Sequence, residues 1–198
     1  MKKNRLEEQL HNIQGFNKPN PKKEQYATPT SIARKLIQAQ DLQGQTVLDL
    51  GAGTGILGIA ALLAGAKHVT FIEEDAQAIK TLQENLKAQG ISQEQYTIIH
   101  SPLMLTDVHA DVAVMNPPFG TRIQHLDRFF LEYALTHTHT ISTLHKTSTK
   151  EFIHKRIQQL GAQVIEEEDL QYVLQHTMSH HTKEQEVVEV TRFCIKKL

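Results

Sequence analysis

Cysteine is almost absent from this chain of 198 residues, since Cys194 is the single one. One thiol can neither form a disulfide within the chain nor build a cysteine-rich zinc site. Proteins without disulfides are typical of reducing compartments. The composition therefore predicts an intracellular protein, and we expect it to be cytoplasmic.

Long apolar runs and an excess of charge of one sign are also missing. No stretch approaches the ~20 apolar residues that span a membrane, and residues 1–6 lack the apolar core of a signal peptide. The net charge of -1 argues against a broad surface for nucleic acid but leaves a local basic patch open. The length predicts a single domain, residues 1–198, with an N-terminal helix and arm over 1–27 and a core over 28–198.

Strand-like and helix-like apolar spacings alternate along the sequence. A helix is predicted over 1–12, and a second is predicted to be capped by Thr28 and opened by Pro29. A polar, histidine-rich loop separates the last two strand-like runs. The pattern indicates an α/β fold with a doubly wound, mostly parallel seven-stranded sheet and a C-terminal antiparallel hairpin. The predicted strands are 46–50, 68–73, 96–99, 110–115, 140–144, 162–173 and 186–195.

A glycine-rich loop, Asp49-Leu50-Gly51-Ala52-Gly53-Thr54-Gly55, joins the first strand to the next helix. Its spacing differs from the dinucleotide-binding fingerprint and from a phosphate-binding P-loop. Asp49 would repel a pyrophosphate but could hold the cationic amino-acid end of S-adenosylmethionine. Glu73 ends the second strand, where an acid commonly accepts hydrogen bonds from ribose hydroxyls. The set predicts a cofactor site, and the alternative is a tight strand–helix turn without a ligand.

A second motif, Asn116-Pro117-Pro118-Phe119, follows the apolar end of the fourth strand. A ring amine is a poor nucleophile because its lone pair is delocalised into the ring. Two acceptors, the Asn116 side-chain carbonyl and the Pro117 backbone carbonyl, could hold its hydrogens while Pro118 stiffens the loop and Phe119 stacks on the base. The motif predicts methyl transfer to a planar nitrogen without a metal or a covalent intermediate, and the alternative is a turn that merely ends a strand.

Both motifs resemble those of class I S-adenosylmethionine-dependent methyltransferases of the N6-adenine type, which have a Rossmann-like fold. Further stretches are similar to the methyltransferase-like five family, and the stretch Leu144-His145-Lys146-Thr147-Ser148-Thr149 is more specific than either general motif. The likeness runs nearly end to end. It implies an enzyme that forms N6-methyladenosine in small-subunit ribosomal RNA. The other similar stretches are 24–28, 115–121 and 190–193.

The resemblance also implies roles for individual residues around the cofactor. Gln25 and Thr28 would close over it, and Glu73 would bind its ribose. The family commonly has an Asp-Val pair after the third strand that touches the adenine, where this chain has Ser101-Pro102. A serine hydroxyl bonds an adenine amine less strongly than a carboxylate does. Along the methionine part of the cofactor the resemblance places Gly51, Thr54 and Ile56, and Gly53 belongs to the same loop.

Basic residues near the acceptor motif form the predicted RNA-binding set, which comprises Arg122, His145 and Lys146. The N-terminal arm adds a second group of cations that could neutralise phosphates, although a solvated charged surface explains a single lysine as well. His176, His180 and His181 have a spacing that could hold a metal, but a polar loop is the favoured interpretation and no metal site is expected. The cations of the arm are Lys2, Lys3, Arg5, Lys18, Lys22 and Lys23.

The leading hypothesis is an RNA adenosine N6-methyltransferase. The resemblance implies a small zinc-binding activator subunit as partner, and we expect it to dock at a sheet edge and form a heterodimer. A second hypothesis is methylation of another planar nitrogen, such as a protein glutamine or a guanine N2. A third is a non-catalytic cofactor-binding scaffold on the ribosome, which would bind the cofactor without turnover on any RNA.

Overall fold

A computed structural model describes residues 2–17, 19–20, 24–119, 126–175 and 185–198. Arg122 of the predicted RNA-binding set lies outside these residues, as do the three histidines of the loop before the last strand. Lys18, Lys22 and Lys23 of the arm also lie outside them, and the side chains of Lys2 and Lys3 are not described.

Six α-helices and seven strands are present in the described ranges. The seven strands and the first helix agree with their predicted ranges to within two residues at each end. In chain order they are α1 Lys2–Leu10, α2 Thr30–Gln38, β1 Thr46–Leu50, α3 Ile56–Leu63, β2 His68–Glu73, α4 Ala76–Ala88, β3 Tyr96–His100, β4 Val112–Met115, α5 Leu126–His137, β5 Thr140–Lys146, α6 Lys150–Gln159, β6 Ala162–Gln175 and β7 Gln185–Lys197.

The seven strands form one sheet in the order β3-β2-β1-β4-β5-β7-β6. Strands β1 to β5 run parallel, and β7 lies antiparallel to both β5 and β6. This topology confirms the predicted doubly wound sheet with its C-terminal hairpin. The strand order reverses between β1 and β4, where Leu50 pairs with Met115. Their carboxyl ends therefore meet at the point where open α/β sheets bind ligands.

Two apolar layers cover the faces of the sheet. On one face α1 to α4 pack through residues such as Leu10, Leu36 and Leu82. On the other face α5 and α6 pack through Leu131 and Ile153. Because β4 is buried on both faces, it is a continuous apolar run, as expected for a central parallel strand. None of the helices in the described part of the chain combines the length and hydropathy needed to cross a membrane.

The predicted cap of α2 is wrong. The helix starts at Thr30, and the residue before it, Pro29, provides no side-chain cap. Instead the Pro29 carbonyl accepts the amides of Ile32 and Ala33, at 3.0 and 2.9 Å. The Thr28 side chain is buried and turned toward the end of β4, where it bonds Asn116. The hydroxyl that the local pattern assigned to the helix cap therefore makes a tertiary hydrogen bond instead.

Asn85 of α4 joins the N-terminal segment to the glycine-rich loop. Its Oδ1 accepts the Gln14 amide at 2.9 Å, and its Nδ2 donates to the carbonyls of Gln14 at 3.0 Å and Thr54 at 2.9 Å. The side chain is 1% exposed. One buried amide thus satisfies three backbone groups and fixes the loop against the residues that precede the core.

We predict that Asn85→Ala lowers the free energy of unfolding by about 2–4 kcal/mol, because a buried group left unpaired costs roughly 1–3 kcal/mol. Urea denaturation monitored by circular dichroism measures the change. Gln83→Ala, on the exposed side of the same helix, is the matched control and should shift stability by less than about 0.5 kcal/mol. Equal losses in the two variants would contradict the assigned role of Asn85.

Candidate active site

The glycine-rich loop makes a sharp turn between β1 and α3. Gly51, Gly53 and Gly55 all have positive φ, at 68, 55 and 88°. A Cβ added to Gly53 would lie 2.8 Å from the ring of Phe16, so the arm and the loop approach closely because this residue has no side chain. The turn places main-chain atoms of the loop at the edge of a cavity.

Asp49 lies beneath this loop at 1% exposure. Its Oδ2 accepts the Gly58 amide at 2.8 Å, near the N-terminus of α3. The pKa of Asp49 is raised to about 7, chiefly by burial; the Gly58 hydrogen bond opposes this rise and the nearby Glu73 charge adds to it. A Cβ at Gly58 would lie 2.9 Å from this oxygen, so Gly58 is a site residue that the sequence reasoning missed. The acid is poised to ionise when a cation approaches.

Glu73 fixes the loop from the other side. Its Oε2 accepts the Gly53 amide at 2.7 Å, and its Oε1 accepts the amides of Glu74 and Asp75, each at 2.9 Å. Burial raises the pKa of Glu73, and these three hydrogen bonds oppose that rise. The carboxylate is therefore held in one orientation at the end of β2.

A cavity of about 320 Å³ opens over the loop and both acids. The structure brings all ten predicted cofactor residues to its wall, including Ser101 and Pro102. At the edge of the cavity, the side-chain amide of Gln25 donates a hydrogen bond to Asp75 Oδ2 at 3.2 Å. The sequence reasoning assigned no role to the apolar part of the wall, because these residues are distant in sequence and apolar, as core residues are. Those residues include Phe16, Leu103, Met104, Leu126, Phe129 and Phe130.

The Asn116 amide stands at the inner end of this cavity. Its Nδ2 donates to Thr28 Oγ1 at 3.0 Å and to the Tyr172 hydroxyl at 3.3 Å. The Tyr172 hydroxyl donates to the Ala27 carbonyl at 3.1 Å, so it must accept from Asn116, and this fixes which side of the amide carries the nitrogen. Burial raises the pKa of Tyr172 to about 12, which keeps the phenol protonated. Asn116 Oδ1 is buried and meets no hydrogen-bond donor in the described ranges.

A smaller recess of about 20 Å³ lies on the other side of Asn116. Phe119 packs edge-on to Tyr172, with ring centroids 6.2 Å apart, and Lys146 Nζ lies 6.0 Å from the Phe119 centroid. Asn116 and Pro118 are among the residues that line both spaces, so Asn116 lies where the two spaces meet. The recess is lined by Glu24, Tyr26, Asn116, Pro117, Pro118, Phe119 and Tyr172.

His145 does not fit the RNA-binding set that was predicted from the sequence. It is 1% exposed on β5, its Nε2 lies 3.2 Å from Thr143 Oγ1, and its ring packs against Phe193. Burial lowers the pKa of His145 to about 3, so the ring stays neutral. Because β7 pairs with it, β5 is an interior strand, and helices α2, α5 and α6 cover its faces, which a linear pattern does not reveal. Lys146, the next residue, is partly exposed beside Phe119.

The Methyltransferase small domain family matches residues 30–140, more than half of the chain. The rRNA N(6)-adenosine-methyltransferase Mettl5 of Drosophila melanogaster is 32% identical over 96% of this chain and 94% of its own length. A shorter match, 41% identical over 44% of this chain and 29% of the relative, is to the ribosomal protein L11 methyltransferase of Photobacterium profundum.

Solved structures agree with the sequence comparisons. The crystal structure of a candidate RNA methyltransferase from Pyrococcus horikoshii superposes with a TM-score of 0.91 at 30% identity, covering 100% of this chain and 98% of that one. The likeness thus includes α1 and the C-terminal hairpin as well as the glycine-rich loop. These findings confirm the resemblance inferred from the sequence motifs. The chain belongs to the Methyltransferase small domain family and, within it, to the family of the Mettl5 rRNA methyltransferases.

Proposed function

We propose that this protein transfers the methyl group of S-adenosylmethionine to N6 of an adenosine in small-subunit ribosomal RNA. The observation that carries the proposal is Asn116, whose amide nitrogen is held by two hydroxyls while its buried oxygen accepts from no donor in the described ranges. A buried carbonyl without a partner is costly, and a substrate amine at the cavity junction would supply the missing hydrogen.

The larger cavity suits S-adenosylmethionine by its chemistry. Asp49 would attract the cationic amino-acid end, and Glu73, fixed by three amides, would accept ribose hydroxyls. Gln25, Thr28, Gly51, Gly53, Thr54 and Ile56 would enclose the rest, with the Ser101 hydroxyl near the adenine. When bound, the cofactor would supply a methyl group on a sulfonium centre; the methyl carbon would accept the nitrogen lone pair while the carbon–sulfur bond breaks to leave a neutral thioether, and the nitrogen would release one proton to solvent.

Residues 116–119, the acceptor loop, would act by orienting the substrate amine and by electrostatics. Asn116 Oδ1 and the Pro117 carbonyl would accept the two N6 hydrogens and favour a tetrahedral nitrogen whose lone pair points into the larger cavity. Pro118 restricts the loop, so these acceptors need little rearrangement. Phe119 would stack on the base, with the Lys146 ammonium beside it to meet a phosphate.

Adenosine in ribosomal RNA is favoured over other planar nitrogens because the full-length relatives carry that activity in their names. The protein-methylating relative matches less than half of the chain. The four acceptor residues themselves would serve a glutamine or a guanine N2 as well. A non-catalytic scaffold is disfavoured, because the full-length relatives are named as methyltransferases.

Three further parts of the proposal concern the protein as a whole. The chain would act as a single domain over 1–198, and the packing of Leu10 and Asn85 supports this by tying residues 2–17 to the core. A small zinc-binding activator subunit would form a heterodimer at one of the two sheet edges, β3 or β6. We place the enzyme in the cytoplasm.

The direct test incubates the protein and its activator subunit with labelled S-adenosylmethionine and isolated ribosomal RNA. We predict label in N6-methyladenosine at one small-subunit site. Asn116→Ala should lower the rate of transfer by about 10²–10³-fold, as removal of a positioned polar group does in other enzymes, and should leave cofactor affinity close to that of the unaltered protein.

Two results would count against this function. Label found in protein alone, with none in RNA, would mean that the substrate is a protein. Cofactor binding without any transfer would support a non-catalytic scaffold. Loss of both cofactor binding and thermal stability in Asn116→Ala would mean that Asn116 maintains the fold. Calorimetric titration with the cofactor and a thermal melt separate these cases.

Tyr172→Phe tests the positioning of Asn116. The variant keeps the ring against Phe119 but removes the hydroxyl that accepts Asn116 Nδ2 and donates to Ala27. We predict a fall in kcat of about tenfold, or ~1.4 kcal/mol in activation free energy, with little change in the KM for RNA. Tyr96→Phe on β3 is the matched control, and a rise in KM at unchanged kcat would assign Tyr172 to RNA binding instead.

Asp49→Asn tests the buried acid. The folded-state pKa of Asp49 lies above its ordinary value of 3.8, so the folded state binds the proton more tightly and stability falls as pH rises toward 7. A rise of three pKa units corresponds to at most about 4 kcal/mol. We therefore predict that Asp49→Asn is more stable than the unaltered protein at about pH 8, similar at about pH 4, and impaired in cofactor binding.

The measurement is urea denaturation at both pH values, with Asp41→Asn at an exposed turn as the control. Cofactor affinity is measured by calorimetry at the higher pH. A variant that is less stable than the unaltered protein at the higher pH would show that the ionised carboxylate supports the fold rather than the ligand.

A further inference from the structure

A second group of polar side chains converges at the amino ends of β4 and β5, whereas Asn116 lies at the carboxyl end of β4. Asp107 and His109 lie in the loop before β4, and His137 ends α5 just before β5. One donor atom from each lies within 4.8 Å of the other two. His137 Nε2 is 3.2 Å from Asp107 Oδ1, and His109 Nδ1 is 3.9 Å from the same oxygen. The sequence predicts no metal here, because the three residues are separated along the chain.

The Asp107–His137 donor distance of 3.2 Å is close to that around a tetrahedral ion, and His109, at 3.9 Å from the same oxygen, would have to move closer. Zn²⁺ bonds nitrogen and oxygen at ~2.0–2.2 Å, so its ligand atoms stand roughly 3.3–3.5 Å apart. A hydrogen bond between Asp107 and His137 would account for two of the side chains. It would not account for His109, whose ring centroid lies 4.8 Å from that of His137. Two imidazoles with one carboxylate suit Zn²⁺ and other late transition metals, and are unsuited to Mg²⁺ or Ca²⁺.

The orientation of His137 is set by its surroundings. Its Nδ1 lies 2.7 Å from the Tyr133 carbonyl, an acceptor, so Nδ1 carries the hydrogen. The Nε2 lone pair is then directed to the side where Asp107 and His109 lie. The imidazole also stacks on the Tyr133 ring, with centroids 3.8 Å apart and planes at 15°. Its side chain is 12% exposed, so the ring is supported while Nε2 remains reachable.

Tyr133 also positions the loop that carries the other two donors. Its hydroxyl is 2.9 Å from Thr106 Oγ1 and accepts the Val108 amide at 3.3 Å, which anchors the residues on either side of Asp107. The Ala110 amide donates to the His137 carbonyl at 3.1 Å. A single buried tyrosine thus brings the loop and the end of α5 together, as outer-sphere partners do in metal sites.

We propose that Asp107, His109 and His137 bind one divalent transition-metal ion, with Zn²⁺ as the favoured ion and solvent as its fourth ligand. Asp107 and His109 are 84% and 68% exposed, so an ion can enter without a change of fold. The site lies away from the acceptor loop and takes no part in methyl transfer. It would join the segment before β4 to the end of α5.

The test is calorimetric titration of Zn²⁺ into the full-length protein after treatment with a chelator, with Co²⁺ absorption as a second readout of coordination. We expect one saturable ion in the micromolar range. His109→Ala and Asp107→Asn should each weaken it by about 10–100-fold without lowering the melting temperature of the metal-free protein. His11→Ala, at an exposed histidine after α1, is the matched control and should bind like the unaltered protein.

The histidines at 176, 180 and 181 need a separate control, since they could bind an ion themselves. A variant with all three changed to Gln should keep the proposed site. Loss of binding in that variant, with His109→Ala and Asp107→Asn unaffected, would overturn the proposal. Absence of saturable binding to the unaltered protein in the micromolar range would overturn it as well.

Discussion

The orientation of one amide, that of Asn116, depends on three distant parts of the chain. Thr28 comes from the segment before α2, Tyr172 from the edge strand β6, and Asn116 itself from the end of β4. The two hydroxyls accept hydrogen bonds from the amide nitrogen, and the oxygen of the same side chain, which lines both cavities, meets no donor in the described ranges. Since neither hydroxyl could reach Asn116 without the C-terminal hairpin and the packed arm, the full-length fold is required for an acceptor loop of four residues.

The acids of the cofactor cavity show why function opposes stability here. Asp49 is buried and Glu73 is half-buried, and each carries a raised pKa. Hydrogen bonds from the backbone amides of Gly58, Gly53, Glu74 and Asp75 reduce the cost without removing it. A cationic ligand would relieve it further, because an opposite charge favours the ionised carboxylate. Part of the affinity for a cation is therefore prepared in the fold, where a neutral side chain would be more stable.

Periodicity was sufficient to predict the strands, and the glycine spacing and the Asn-Pro-Pro-Phe motif marked the two loops, since each of these patterns is local in sequence. Partners that meet across the fold were not predictable. Tyr172 sits among apolar residues of a strand, Asn85 within a helix, and neither has a local pattern that marks a hydrogen-bonding role. Thr28 was assigned to a helix cap and His145 to RNA binding. Neither the local pattern nor the resemblance contains information on the tertiary contacts that these side chains make in the fold. The errors therefore fall where a long-range contact overrides a local preference.

The segment 101–110 runs from the carboxyl ends of the parallel strands to their amino ends. Ser101 to Met104 line the cofactor cavity, while Asp107 and His109 lie beside His137 at the amino ends of β4 and β5. Tyr133 anchors the segment between these ends through Thr106 and Val108. An ion held by the three donors would restrict the segment in its cavity-forming arrangement. Because coupling between two binding sites is reciprocal, a filled cofactor cavity would then strengthen ion binding by the same factor.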